Sequence, residues 1–215
     1  MESTKSNKIH TIGDSHSYFG WDNIPNVTNH YLSGRLCHSV GRDGLDLCAP
    51  EYKIESGDTL VFCFGEIDCR CHVNKHTGPD FTYMAVIDNI VTKYFKQVKI
   101  SVDKLYAKTS VTDIRVCIYN IVPAVRKSTT CENKSFPFLG SDADRKSYTL
   151  YFNTRLKELC VEYGFIFFDV YDKYTCADGY IKRDLSDGHV HIKNGIYIRE
   201  FIDNILLSIK SAHST

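Results

Sequence analysis

A serine follows the first strand-like segment of the chain. Ser15 stands in the run Ile12-Gly13-Asp14-Ser15-His16-Ser17, directly after the short apolar stretch 9–11. Catalytic groups commonly lie where a strand of an α/β sheet ends, and a serine there acts as a nucleophile when a base and an oxyanion site lie beside it. The other role open to Ser15 is that of a helix cap, which serine and aspartate often take at a strand-to-helix junction. The run alone favours the cap, so the rest of the chain has to supply the base.

A carboxylate and two imidazoles stand close together near the end of the chain. The run 185–192 holds Asp187, His189 and His191. In an acyl-transfer triad the histidine takes the serine proton, and the aspartate fixes the tautomer of the histidine. On one turn of helix Asp187 and His191 would share a face, whereas Asp187 and His189 would need an extended segment to meet. We therefore take Ser15, Asp187 and His191 as the catalytic residues and keep His189 as the alternative base.

Three short sequence motifs lie along the chain, one near each end and one between them. The first is Gly13-Asp14-Ser15, and the last is the Asp/His segment before a final helix-like stretch. The middle block, Gly65-Glu66-Ile67-Asp68, is similar to a strand-ending Gly-x-Asn-Asp in which Ile67 replaces the asparagine. With these blocks the chain resembles the SGNH/GDSL hydrolases over nearly its whole length. It departs from their Asp-x-x-His ending, because Val190 stands three positions after Asp187.

The resemblance implies an oxyanion hole built from three donors. The family uses the amide of the nucleophilic serine, a glycine amide in a second block and the asparagine that is missing here. Gly34 is our candidate for the glycine, and the run 40–44 is the alternative. For the missing donor and for substrate binding we consider Gly65, Glu66, Asp68 and Arg70. We consider two roles for Arg70. In the first it binds an oxyanion or a substrate carboxylate, and in the second it forms an ion pair with Glu66 or Asp68.

Thiols and imidazoles are also grouped after the middle block. Cys69, Cys71, His72 and His76 are types of residue that bind zinc, but the spacing lacks a paired Cys-x-x-Cys. We therefore predict neither a metal nor another cofactor. The chain has nine cysteines at irregular spacing, a pattern that favours free, buried thiols in a reducing compartment over disulfides.

Apolar runs typical of buried strands alternate with segments of helical periodicity. The predicted strands are 8–13, 59–64, 113–123 and 165–171, with a weaker one near 36–40, and the predicted helices are 83–94, 148–160 and a last one after Asn194-Gly195. In this last helix we expect a core-facing stripe of Ile196, Ile198, Phe201, Ile202, Ile205 and Leu206. The alternation predicts an α/β fold, specifically a three-layer α/β/α sandwich with a mostly parallel, flavodoxin-like five-stranded sheet whose ligand crevice lies beyond the strand C-termini.

Length and charge limit the classes of function. A chain of 215 residues is predicted to form a single domain, 1–215. Lysine and arginine balance aspartate and glutamate at 26 each, which argues against nucleic acid and against an anionic membrane as partners. A polar N-terminus and the lack of a long apolar stretch predict a cytoplasmic protein. The polar loop 126–145 either faces or covers the substrate crevice or is simply solvated, and we favour the first role.

These features predict a serine-dependent hydrolase. The family resemblance implies removal of O-acyl groups, such as acetyl, from a carbohydrate or a small ester through an acyl-enzyme. Aromatic residues after Ser15, namely Tyr18, Phe19, Trp21 and Tyr31, would stack on a sugar or fill the core. A sugar O-acyltransferase with the same triad and a catalytically silent glycan-binding domain are the alternatives.

Overall fold

The computed structural model describes residues 7–212, with side chains placed up to residue 204. Five strands form one sheet in the order β2-β1-β3-β4-β5, and every neighbouring pair is parallel. This order is the flavodoxin-like one, so the predicted fold class is confirmed. The strands are β1 Ile9–Gly13, β2 Val27–Tyr31, β3 Thr59–Cys63, β4 Arg115–Tyr119 and β5 Ile166–Phe168.

Helices cover both faces of the sheet. Side chains alternate along each strand, so that Leu60 and Phe62 pack on one side while Val61 and Cys63 pack on the other. The helices are α1 Cys37–Asp43, α2 Tyr83–Lys108, α3 Asp142–Tyr163, α4 Tyr171–Tyr174 and α5 Ile196–Ala212, with shorter helical turns at Ser15–Ser17, Asp68–His72, Val73–His76, Lys127–Thr129 and Arg183–Leu185. The first side of the sheet is covered by α1, α2 and α3, and the second side by α4 and α5 together with Trp21.

The second strand lies where sequence patterning did not place it. The segment 36–40 is not a strand but the start of α1, and the edge strand is Val27–Tyr31. Asp68 explains the helix, because its carboxylate accepts hydrogen bonds from the amides of Cys37 (2.7 Å) and His38 (3.0 Å). A cap that comes from a residue 30 positions away leaves no signal in the local sequence.

The helices extend beyond their apolar repeats. α3 begins at Asp142, six residues before the predicted start, because Ser141 and Asp144 form a capping box. In α5 the predicted stripe is confirmed at the buried Ile198 and Ile202 but is wrong at Ile196, which is 56% exposed in the first turn. Ile205 and Leu206 lie outside the described side chains.

Gly13 allows β1 and β3 to approach closely at the end that carries the site. A Cβ added at Gly13 would lie 2.0 Å from the backbone oxygen of Cys63. We expect Gly13→Ala to lower the free energy of unfolding by about 3 kcal/mol, because the two paired strands would have to separate. Urea denaturation measures this change. Gly78→Ala, where an added Cβ meets no atom within 4 Å, is the matched control, and equal stability of the two variants would contradict the expectation.

Candidate active site

The turn after β1 presents Ser15 at the carboxyl edge of the sheet. Asp14 precedes it and accepts a hydrogen bond from the His16 amide at 2.9 Å, which starts the helical turn Ser15–Ser17. Ser17 donates from its hydroxyl to the Asp14 carbonyl at 2.8 Å. Asp14 therefore shapes the turn and leaves the half-buried Ser15 as the hydroxyl at its tip.

Asp187 and His191 meet through a tight loop before α5. The Asp187 amide donates to the His191 carbonyl at 3.1 Å, and Ser186 pairs with Ile192 in an antiparallel bridge. The backbone is therefore a closed loop and not the helical turn that the spacing suggested. Asp187 Oδ1 accepts from the amides of His189 at 2.7 Å and His191 at 3.2 Å, so the carboxylate organises the loop that carries both histidines.

A continuous hydrogen-bonded chain links the three side chains. His191 Nε2 lies 2.8 Å from Ser15 Oγ, and His191 Nδ1 lies 2.7 Å from Asp187 Oδ2. Burial lowers the pKa of His191, the neighbouring His16 lowers it further, and Asp187 only partly opposes them. A neutral His191 that donates from Nδ1 to Asp187 has a free lone pair on Nε2 for the serine proton. Burial would raise the pKa of Asp187, but its hydrogen bonds to His191 and to the His189 amide lower it, so the carboxylate stays ionised.

His189 lies on the same loop but does not contact Ser15 through any described hydrogen bond. Its side chain is exposed, and its Nδ1 lies 3.0 Å from the hydroxyl of Thr130. Of the two histidines, the structure therefore brings His191 to Ser15 and leaves His189 at the wall of the adjoining pocket.

A pocket of about 470 Å³ opens beside Ser15 and His191. Residues 130–138 of the loop 126–145 form one wall of this pocket, and the role of the loop toward a substrate stays a prediction. The lining is mainly aromatic and polar and comprises Phe19, Tyr31, Gly34, Ile67, Arg70, Thr130, Cys131, Glu132, Asn133, Phe136, Phe138, His189 and Val190 in addition to the two catalytic candidates. The wall residues of this loop carried no sequence motif, and only the length of the loop pointed to them.

The aromatic residues after Ser15 divide between pocket and core. Phe19 stacks on the His191 ring with a centroid separation of 4.2 Å and an interplanar angle of 19°. Tyr31 also lines the pocket and is exposed. Trp21 is fully buried, where its Nε1 donates to the His16 carbonyl at 3.1 Å. Tyr18 is exposed but does not line the pocket.

Two residues that line the pocket have backbone amides without a hydrogen-bond acceptor among the described residues. These residues are Ser15 and Gly34. Gly34 has a φ of +62° and lies against the Phe136 ring, where an added Cβ would be 2.7 Å away. Ile67 lines the pocket as well but offers no side-chain donor.

Three of the residues proposed for substrate binding have other surroundings. Gly65 is buried and does not line the pocket, and a Cβ added there would lie 2.7 Å from Ile121. Asp68 is fully buried, where it caps α1, and burial raises its pKa to about 7 although the amides of His38 and Cys37 oppose this. Glu66 pairs with Arg70 and does not line the pocket. None of these three residues lines the pocket beside Ser15, and their role toward a substrate stays a prediction.

Arg70 forms the ion pair with Glu66 that was one of the two roles considered for it, and its binding of an oxyanion or a substrate carboxylate stays a prediction. Its Nε and Nη2 bind the two carboxylate oxygens of Glu66 at 2.7 and 2.9 Å, and its Nη1 donates to the Phe136 carbonyl. The guanidinium also lines the pocket. Arg70 therefore fixes the loop wall in place and keeps a cation at the edge of the site.

The cysteine and histidine group after the middle block is not arranged around a metal. Cys69 and Cys71 are buried, and burial raises the pKa of both thiols. His72 packs between His38 and His76 with ring centroids 4.4 and 4.5 Å apart. Among residues 7–204, no three histidine, cysteine, aspartate or glutamate side chains are placed to hold a metal ion.

None of the helices described is long and apolar enough to cross a bilayer.

Several solved structures with a similar fold are described as esterases or lipases. Neither a protein-family model nor a curated protein matches the sequence. A protein of Parabacteroides merdae described as a candidate GDSL-like lipase superposes with a TM-score of 0.59 at 16% identity, over 95% of both chains. The aryl esterase of M. smegmatis gives a TM-score of 0.56 at 13% identity, over 93% of this chain and 99% of the other. Est24, a carbohydrate acetylesterase from Sinorhizobium meliloti, gives 0.55 at 14% identity, over 93% and 100%. The chain therefore has the fold of the SGNH/GDSL hydrolases.

Proposed function

We propose that this protein is a serine ester hydrolase of the SGNH/GDSL type with Ser15 as nucleophile, His191 as general base and Asp187 as the residue that orients the histidine. The observation that supports this most strongly is the chain of hydrogen bonds of 2.8 and 2.7 Å from Ser15 through His191 to Asp187, at the edge of a 470 Å³ pocket. A helix cap has no need of a base, so this contact favours the catalytic role of Ser15.

The proposed reaction passes through an acyl-enzyme. Ser15 Oγ attacks the acyl carbon while its proton moves to His191 Nε2, and the carbonyl oxygen becomes an oxyanion that accepts from the amides of Ser15 and Gly34. The bond from the acyl carbon to the alcohol oxygen then breaks, and His191 returns the proton to the leaving oxygen. Water next attacks the acyl-enzyme, with His191 again as base, and releases the acid.

We infer that the substrate is an O-acyl ester of a carbohydrate or of a small alcohol. Phe19, Tyr31 and Phe136 give the pocket flat apolar walls of the kind that stack on sugar rings. The similarity of fold to a carbohydrate acetylesterase agrees with this inference. If a sugar hydroxyl replaced water as the acceptor, the same residues would catalyse acyl transfer.

Hydrolysis of a small activated acetate ester, combined with fluorophosphonate labelling and intact mass, tests the proposal. We expect turnover and one covalent adduct on the wild-type protein. Acetylated sugars assayed with and without a second sugar then separate hydrolysis, which releases acetate, from transfer, which yields a new sugar ester. Absence of both turnover and adduct would overturn the proposal in favour of a silent binding domain.

Ile67 marks a place where a donor can be added to the oxyanion site. We expect Ile67→Asn to raise kcat for the acetate ester about tenfold with little change in KM, since removal of one such donor elsewhere costs about 10²- to 10³-fold. Steady-state kinetics of Ile67→Asn and of the nearly isosteric Ile67→Leu, which adds no donor, provide the comparison. Equal rates in the two variants would show that another group, Arg70 being the candidate, already occupies the third position.

A further inference from the structure

His16 is a buried imidazole beside the site that the mechanism above does not use. It is 5% exposed, and both ring nitrogens have partners. Nδ1 lies 2.8 Å from Asp14 Oδ1, and Nε2 lies 3.1 Å from the carbonyl oxygen of Val190. His16 thus connects the turn that carries Ser15 with the loop that carries His191.

Both partners of the His16 ring are acceptors. A carboxylate oxygen and a carbonyl oxygen have no proton to give, and a neutral imidazole has only one N–H. A neutral His16 would therefore turn a lone pair towards one of the two oxygens, whereas an imidazolium donates to both. Burial lowers the pKa of His16, but the charge and hydrogen bond of Asp14, with Glu66 adding to them, outweigh it and raise the pKa to about 8.

His191 requires the opposite protonation state. Its Nδ1 donates to Asp187 and its Nε2 must accept from Ser15, so the ring has to be neutral before the reaction. The two imidazole rings lie 5.0 Å apart, centroid to centroid. A positive charge on His16 disfavours a second positive charge on His191.

We propose that His16 is a positioning residue, held as an imidazolium between Asp14 and the Val190 carbonyl, that fixes the His191 loop against the Ser15 turn and keeps His191 unprotonated. The titratable groups around it are Asp14 on its own turn, Glu66 after β3, and His191 on the loop before α5. The role depends on the proposed function, because it matters only if His191 acts as a base.

The pH profile of kcat/KM tests the effect on the base. In the wild type, the acid limb reports protonation of His191. We expect His16→Gln to move this limb to higher pH by about half a unit or more, since a charge roughly 5 Å away is removed. The matched control is His10→Gln, which removes another buried histidine–aspartate pair, His10 Nε2 to Asp58 Oδ2 at 3.0 Å, near the opposite end of β1. We expect His10→Gln to leave the pH of the acid limb unchanged. An acid limb at the same pH in the wild type and in His16→Gln would overturn the proposal.

Histidine ring ¹⁵N NMR tests the same proposal without any ester turnover. In the wild type at pH 7, both ring nitrogens of His16 should carry protons, and in His16→Gln the titration of His191 should move to higher pH. A His16 ring with a single proton at pH 7 would overturn the proposal, and that spectrum needs only the wild-type protein. Absence of ester hydrolysis with both NMR results as expected would instead count against the proposed function.

Discussion

Ser15→Ala is expected to eliminate the fluorophosphonate adduct and to lower kcat for an activated acetate ester by about 10³-fold or more, with KM nearly unchanged. The reason is that Ser15 Oγ is the hydroxyl that lies 2.8 Å from His191 Nε2, the proposed proton acceptor. The oxyanion amides and the pocket would remain in the variant, so substrate binding should persist while bond formation fails.

Ser33→Ala is the matched control for this experiment. Ser33 is an exposed serine next to Gly34 in the same segment of the site, and its hydroxyl accepts only a long hydrogen bond of 3.4 Å from Tyr31. We expect full labelling and nearly full turnover in this variant. An adduct that persists in Ser15→Ala would contradict Ser15 as the nucleophile, and thermal unfolding of both variants shows whether either change acts through stability.

The sequence predicted those parts of the site that are encoded by short local patterns. The Gly-Asp-Ser turn was found because it follows a short strand-like segment, and the Asp/His loop because an aspartate and two histidines stand within five positions just before the last helix. The preference for His191 was argued from a helical turn, whereas the structure shows a loop closed by the hydrogen bond from the Asp187 amide to the His191 carbonyl. A spacing of four residues brings two side chains together in either geometry, and the sequence does not distinguish them.

Features that depend on distant residues were not predicted. Edge strand β2, with the sequence Val-Thr-Asn-His-Tyr, is half exposed and lacks a continuous apolar run. The cap that Asp68 provides for α1 was not predicted, because it forms only when the fold brings the two segments together. His16 was overlooked for the same reason, since its partner at Val190 is 174 positions away.

The base can be identified by comparing the two histidines of one loop. We expect His191→Ala to lower kcat by about 10³- to 10⁴-fold and Asp187→Asn to have an effect of similar size, because the first removes the proton acceptor and the second its orienting carboxylate. His189→Ala should retain most of the activity, since His189 contacts Thr130 rather than Ser15. Steady-state kinetics on the acetate ester at several pH values, with thermal unfolding as the check on folding, compares all three variants.

The combination of Asp187→Asn with His191→Ala gives a sharper test than either change alone. If the two residues act as one unit with Ser15, the double variant should be no slower than the slower single variant, because a triad that has lost its base gains nothing from the carboxylate. Multiplicative losses would mean that Asp187 also acts independently, through the amides of His189 and His191 that it holds at 2.7 and 3.2 Å. A different result would assign the role of base to His189: a severe loss of activity in His189→Ala together with retained activity in His191→Ala. That result would contradict the function inferred from the hydrogen bonds that link Ser15, His191 and Asp187.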